Sequence, residues 1–507
     1  MFRVVSSTGA PALWFNNKLP NLQNSIPWRH WQISDDGNSL GETSSVNTRF
    51  QVLNSGPISK GDIVRIKIDA RDKYNQTRFV GGDFWFAWLS SNKKPLASTA
   101  GKVIDYNNGT YIVIFLAAWA GNADISIILV HPSDATSFIT DTWNTEKKVA
   151  WLAKYQNKTT TELTSCKLGS PGLWENMCIY PSPNANGRTS FMCDKPKGFP
   201  CSAITSHIAD GKTIKASVTE IIKGKEFLFQ GNNFQKKILG SGTTLKVRES
   251  SNELSLDAVP KCHTRMEIPL IKGYWLEGQW VSLSCRKFNC WNKTSLVAKC
   301  LQHKHVYFIG DSNARQYLNI LLEMLGQPAA KITNVINVNL AALNITVHWQ
   351  FQPEWISSGY APFYNHEYVA DMFDKFTNPT CDYVVVVSTW AHFTQWTRTA
   401  FLERLMLLRQ AVKRFRARCP LAPVILKSPH PRTHPDLISR YYASDYLLNE
   451  MRKLIQKVFA MTDILFLDIW DMNMAYPAGN AIHMPTSCVE QELFVILSYV
   501  CDSMCEE

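Results

Sequence analysis

Ser312 stands in the stretch His305-Val-Tyr-Phe-Ile-Gly310-Asp311-Ser312-Asn313-Ala-Arg315-Gln316, and His483 in Tyr476-Pro-Ala-Gly-Asn480-Ala-Ile-His483-Met-Pro485. A serine hydroxyl is a weak nucleophile until an imidazole takes its proton, and the two groups need to meet only in the fold. Together they would carry acyl transfer through an acyl-serine. Val306 to Ile309 reads as a short buried strand. Gly310 and Asp311 break it, and Leu318, Leu321, Leu322 and Leu325 follow at helical spacing. Ser312 is thus expected where a strand ends and a helix begins. The N–H groups there lack partners within the helix and favour the negative charge that attack creates. The competing reading makes Asp311 or Ser312 an ordinary helix cap.

The elements around these residues decide between the two readings. Tyr383-Val-Val-Val-Val387, Val424-Ile-Leu426 and Ile464-Leu-Phe-Leu467 repeat the strand pattern, and Thr399–Arg418 and Ser439–Phe459 carry helical apolar spacing between them. Such alternation predicts a parallel sheet covered by helices. Ligands of open sheets bind beyond the carboxyl ends of the strands. Each motif falls at such an end: Ser312, Ser388-Thr-Trp390-Ala-His392, Lys427-Ser-Pro-His430, and the loop from Asp471 to His483.

A Gly-Asp-Ser after the first strand and a histidine before the last helix (Val489 to Cys501) resembles the layout of the GDSL/SGNH hydrolases. Upstream, Gly273-Tyr-Trp-Leu-Glu-Gly-Gln-Trp280 followed by Cys285, Cys290 and Cys300 is similar to the approach to the serine in their PC-esterase branch. That branch includes plant polysaccharide O-acetyltransferases and sialate O-acetyltransferases. Together with the N-terminal half described below, residues 45 to 505 resemble the neurexophilin and PC-esterase domain family.

The resemblance implies Ser312 as nucleophile and His483 as base. It draws oxyanion and substrate contacts from Asp311, Asn313, Arg315, Gly359, Trp390 and His392. Catalytic relatives carry Asp three residues before the histidine, where this chain has Asn480. An amide orients a ring nitrogen but does not offset imidazolium charge, so Asp471 or Asp468 is the alternative support. Water as acceptor makes an esterase and a sugar makes a transferase, through the same residues. No bound cofactor is expected; acetyl-CoA or another acyl donor would be the co-substrate of a transferase.

The 507-residue chain is too long for one core, and 45% hydrophobic against 19% charged residues marks it as folded. Residues 1–44, rich in Asn, Ser, Pro and Gly, read as a poorly ordered lead-in. Residues 45–135 read as strands broken by turns, with apolar–charged alternation over Asp62 to Asp69. Their Asn107-Asn-Gly-Thr-Tyr111 hairpin resembles that of filamin-type immunoglobulin-like domains and of the neurexophilin module. Residues 136–259 form a cysteine-containing connection, within which Lys212 to Leu245 reads as exposed. Residues 260–507 form the PC-esterase-like part. The expected fold class is an immunoglobulin-like β-sandwich followed by an α/β three-layer SGNH-hydrolase-like domain.

All 13 cysteines lie from Cys166 onward, and sequons occur at Asn75, Asn108, Asn157, Asn292 and Asn344. Together they predict an oxidising compartment, the Golgi lumen or the exterior, with one thiol left over. Cys166, Cys178, Cys193 and Cys201 suffice for two local disulfides in three pairings. Met1 to Asn17 has no apolar core of signal-peptide type and no transmembrane run is present, whereas the resemblance implies an N-terminal signal or anchor. No cysteine spacing suits zinc, and His430-Pro-Arg-Thr-His434 lacks further ligands, so no metal site is expected.

The net charge of +11 is concentrated over Arg398 to Arg418, read as a solvated helix face rather than a nucleic-acid surface. The expected partners are a glycan or glycoprotein substrate, sialylated mucin-type chains first, and a cell-surface receptor through the sandwich. The rival to catalysis is a secreted or membrane-anchored ligand with an inactive esterase domain.

Overall fold

The structure, a computed structural model, describes residues 41–93, 95–145, 151–169, 176–182, 187–209, 211–250, 259–266, 268–331, 333, 335–351, 361–362 and 368–501. It is a multidomain mixed α/β arrangement with four sheets among these residues.

Two antiparallel-rich sheets form the N-terminal half. One runs in the order Leu239–Ser241, Arg49–Val52, Ile63–Asp69, Thr110–Leu116, Lys102–Asp105. The other is built on Phe84–Ser91 and Gly121–His131. The alternation predicted over Asp62 to Asp69 is realised, with Val64, Ile66 and Ile68 fully buried. They share one apolar core with Tyr111, Phe115, Ile127 and Leu129. Thr43, within the expected lead-in, bridges to Asp72 and is buried; residues 1–40 lie outside the described residues.

Two expectations are corrected here. Lys212 to Leu245 is not an exposed connector. It forms the helix Gly211–Ile221 and then supplies Leu239–Ser241 to one sheet and Thr244–Arg248 to the other. Alternating Leu245 and Val247 bury into the shared core, which is why the segment pairs rather than loops out. Likewise Gly273–Leu276 and Gln279–Ser282, read from the sequence as part of the C-terminal region, extend the second of these sheets beside Ala97–Ala100.

A third sheet, in the order Met177–Pro181, Ser190–Asp194, Thr161–Gly169, Trp151–Gln156, Ile204–Ile208, Ala361–Pro362, is stapled by Cys166–Cys193 and Cys178–Cys201. Further disulfides join Cys262–Cys285, Cys300–Cys501 and Cys381–Cys419, and Cys488 is a buried free thiol. All five sequon asparagines are exposed.

The fourth sheet positions the candidate site. Its order is Val335–Leu340, Ile345–Phe351, His305–Gly310, Tyr383–Ser388, Val424–Lys427, Leu465–Leu467, parallel throughout except for the first, edge strand. Side chains alternate across a strand, and the two faces of His305–Gly310 meet different helices. Phe308 packs on Tyr317 of the helix Ser312–Met324, whereas Tyr307 packs on Phe376, which in turn meets Phe415 of the helix Arg398–Arg418. Helices therefore cover both faces. From His305–Gly310 the chain first crosses to one neighbour and later returns to the other, Tyr383–Ser388. This makes the carboxyl ends of those two strands the switch point where a crevice forms.

Candidate active site

Gly310 ends its strand with φ +149°, and a Cβ there would lie 2.2 Å from the Ser388 carbonyl oxygen. Only glycine lets the two strand ends come this close. Asp311 then caps the helix Ser312–Met324. Its Oδ1 accepts the Asn313 N–H at 2.9 Å and the Asn313 Nδ2 at 3.1 Å, while its Oδ2 accepts the Ala391 N–H at 3.2 Å. The cap reading is thus realised, and Ser312 stands at the strand–helix turn as expected. One buried carboxylate caps the helix and ties the Ser312 turn to the turn after the neighbouring strand. Trp349 Nε1 also donates to the Asp311 carbonyl at 3.3 Å.

The last loop brings His483 to this turn. Trp275, on the strand Gly273–Leu276, donates its Nε1 to the Met472 carbonyl at 2.7 Å and meets Tyr476 edge-on at 5.0 Å. The Tyr476 hydroxyl lies 2.6 Å from that of Ser487, and Gln316 Nε2 donates to the Met484 carbonyl at 2.9 Å. Held from both sides, His483 places Nε2 2.6 Å from Ser312 Oγ. Partial burial, with Arg315 and Arg432 nearby, pushes the His483 pKa down despite the opposing field of Asp311. The ring is therefore neutral at neutral pH, the form that accepts a proton.

The structure treats the other candidates unevenly. Asn313 is buried, and its Oδ1 faces His430 Nε2 at 3.3 Å, so its side chain is spent on Asp311 and His430. Arg315 stacks its guanidinium over Trp349 at 5.6 Å. Trp390, expected as a substrate contact, is buried with its ring edge-on to His430 at 4.9 Å and supports the site from behind. His392 follows Ala391, lies against Phe351, and has a buried Nδ1 with no hydrogen-bond partner among the described residues. Burial pushes its pKa down, against the pull of Asp311. Gly359 lies outside the described residues.

The expected carboxylate support for His483 needs correction. Asp471 lies 3.3 Å from Lys272 Nζ, and Asp468 lies 2.8 Å from the same ammonium and 2.7 Å from Arg452. Burial alone would raise the Asp468 pKa, but Arg452 and Lys272 hold it well below the usual range. Both carboxylates are thus drawn towards these cations rather than to His483. Asn480 Oδ1 is buried without a hydrogen-bond partner among the described residues. Among the described residues Ser312 and His483 therefore form a hydrogen-bonded dyad, in the field of Asp311.

Behind the dyad lies a buried cluster that sequence reasoning passed over. Lys427 Nζ is buried without a hydrogen bond, over the rings of Trp390 and Tyr317 at 5.5 and 5.9 Å. Glu492 accepts hydrogen bonds from the Tyr317 hydroxyl and, at 2.8 Å, from Asn473 Nδ2. Burial lowers the Lys427 pKa and raises that of Glu492, each opposed by the other's charge. The available signal was a Lys at the end of a buried strand and a Glu within an apolar helix.

The arginines of Arg398–Arg418 are largely engaged within the chain. Arg404 stacks over Tyr368 at 4.5 Å, Arg414 pairs with Asp374 at 2.6 Å, and Arg416 and Arg418 donate to the Ala422 and Phe373 carbonyls. His430 and His434 have separate partners, His434 lying 3.2 Å from Asp445. No group of three His, Cys, Asp or Glu suited to a metal occurs among the described residues, and none of their helices is long and apolar enough to cross a membrane.

Two family models match this chain. Residues 280–501 match the C-terminal domain of NXPE family member 4-like proteins, and residues 34–222 match neurexophilin.

Proposed function

Starting from a chain that belongs to the neurexophilin and PC-esterase domain family, we propose that it moves acyl groups, acetyl first, to or from sugar hydroxyls of glycans in the secretory pathway. In this reading the N-terminal sheets form an immunoglobulin-like sandwich. The C-terminal sheet with its two helical layers is an SGNH-type domain, a reading supported by the site at its switch point. The observation that carries the proposal is the 2.6 Å contact between Ser312 Oγ and His483 Nε2 at the start of a helix.

Ser312 Oγ attacks the acyl carbonyl while its proton passes to His483 Nε2. The Ser312 N–H, at the open end of the helix, faces the oxyanion. The tetrahedral intermediate expels the donor's leaving group, which takes the proton from His483 and leaves an acyl-serine. An acceptor hydroxyl then gives its proton to His483, attacks the same carbonyl, and frees Ser312 as the proton returns. A sugar acceptor completes a transfer and water completes a hydrolysis. Acetyl-CoA or another acyl donor would enter as co-substrate. Sialic acids of mucin-type glycoproteins are the first acceptor class to try, because sialate-modifying enzymes share the motif arrangement. The exposed sequons and the disulfides support a Golgi or extracellular setting.

The test is acyl-enzyme trapping. Brief treatment of the purified chain with 4-nitrophenyl acetate should add one acetyl group to the peptide holding Ser312, and Ser312→Ala should remain unlabelled. Labelling elsewhere, or equal ester cleavage by both proteins, would remove Ser312 from the chemistry.

A second reading has its own support. The neurexophilin match and Asn480 in place of the family's Asp favour a ligand that engages a cell-surface receptor through the sandwich. Receptor capture by the sandwich half, unaffected by Ser312→Ala and without ester turnover, would favour it.

A further inference from the structure

A groove of about 470 Å³ opens beside the dyad, lined by Gln316, Asn319, Ile320, Glu323, Gln327 and Thr486. The first four recur at helical spacing, so they form one strip along the helix that begins at Ser312. Gln316 joins the groove to the site: its Nε2 donates to the carbonyl of Met484, the residue after His483. The size falls within the range of small-ligand pockets, and the lining mixes apolar and polar groups as the faces and hydroxyls of a sugar do. Ile320, Pro328 and Ala329 supply apolar surface, and the other walls are amides, a hydroxyl and a carboxylate. Such groups donate and accept together, as each sugar hydroxyl also does. Asn319 Oδ1 is buried without a hydrogen-bond partner among the described residues, an acceptor that a ligand would satisfy.

We propose that this groove is an acceptor subsite, holding uncharged sugar units next to the unit whose hydroxyl reacts at Ser312. Glu323 would repel acidic sugars, so the subsite takes neutral hexoses or N-acetylhexosamines. Any charged unit belongs at the Ser312 end, where Arg315 and Arg432 stand. The proposal rests on the acceptor being bound at Ser312, and its test separates the two claims.

The Ser312→Ala protein, unable to turn over, is applied to an array of neutral oligosaccharides, alone and with Asn319→Leu and Gln327→Leu added. One net hydrogen bond is worth about fivefold in affinity, so the added pair should weaken retention by more than about tenfold. Asn319→Asp, which keeps an acceptor, should retain binding and so exclude a folding defect. In the Ser312 background the same leucine pair should leave cleavage of 4-nitrophenyl acetate unchanged, because that ester is too small to reach the groove. Retention of no neutral oligosaccharide, or equal retention with and without the leucines, overturns the subsite. Groove-dependent retention without any serine-dependent ester cleavage keeps the subsite and removes the catalytic reading.

Discussion

Asp311→Asn changes one atom at the point where two strand ends are joined. The carboxylate accepts three N–H groups, two from Asn313 on Oδ1 and one from Ala391 on Oδ2. An amide has one accepting oxygen. Turned towards Asn313, it keeps the helix cap and sets its NH₂ against the Ala391 N–H; turned the other way, it loses two bonds instead of one. The first choice is cheaper and still forfeits a hydrogen bond to a charged acceptor, worth about 1.5–3 kcal/mol. That loss falls on the turn carrying Trp390 and His392, so stability should drop by about 2 kcal/mol. His483 also loses the carboxylate whose field favours its protonated form. A base left less able to hold the proton should slow acyl transfer by a further factor of roughly ten. Chemical denaturation and 4-nitrophenyl acetate cleavage, measured on the same preparations, check both numbers. A variant with wild-type stability and a rate within twofold of wild type would show that Asp311 is a surface-type cap with no part in the site.

His483, with its pKa pushed below the ordinary 6.5, accepts a proton only when neutral, so the rate should fall on acidification with a midpoint below that value and stay flat through neutrality. A rate–pH profile checks this, and Asn480→Asp should move the midpoint upward by about one unit if the new carboxylate reaches the ring. Asp468→Asn would leave Arg452 beside a neutral group and Lys272 with Asp471 alone, and should cost about 3 kcal/mol in a denaturation curve. Asp471→Asn should leave the rate per folded molecule within about threefold, whereas a loss of about 10⁴ would restore it as the partner of His483. Opening Cys300–Cys501 with paired serines removes a crosslink across 201 residues and should cost about 5 kcal/mol, read as a lowered denaturation midpoint.

Much of the site was legible because its signals are local. The run Val306 to Ile309, the Gly310–Asp311 break and the leucine spacing fixed Ser312 at a strand–helix turn. The position of His483 before the last apolar helix marked its partner. What escaped depends on contacts between distant segments. Asp468 and Asp471 sit in the right loop, and only the fold shows that Lys272 and Arg452 claim them. Trp390 looked like a contact residue, yet its neighbours His430 and Lys427 come from another strand end. In the N-terminal half the alternation of Asp62 to Asp69 gave its strand directly. The start of Thr244–Arg248 was read as exposed because Thr244 and Lys246 face solvent while only Leu245 and Val247 enter the core.

The most direct measurement is O-acetylation of sialic acids released from cells that make this chain in the secretory pathway, compared with cells making Ser312→Ala at equal level. Chromatography with mass spectrometry reads it. The account predicts a serine-dependent change, a rise for a transferase and a fall for an esterase. Identical sialic acids from both lines, with both proteins folded and secreted, would contradict it.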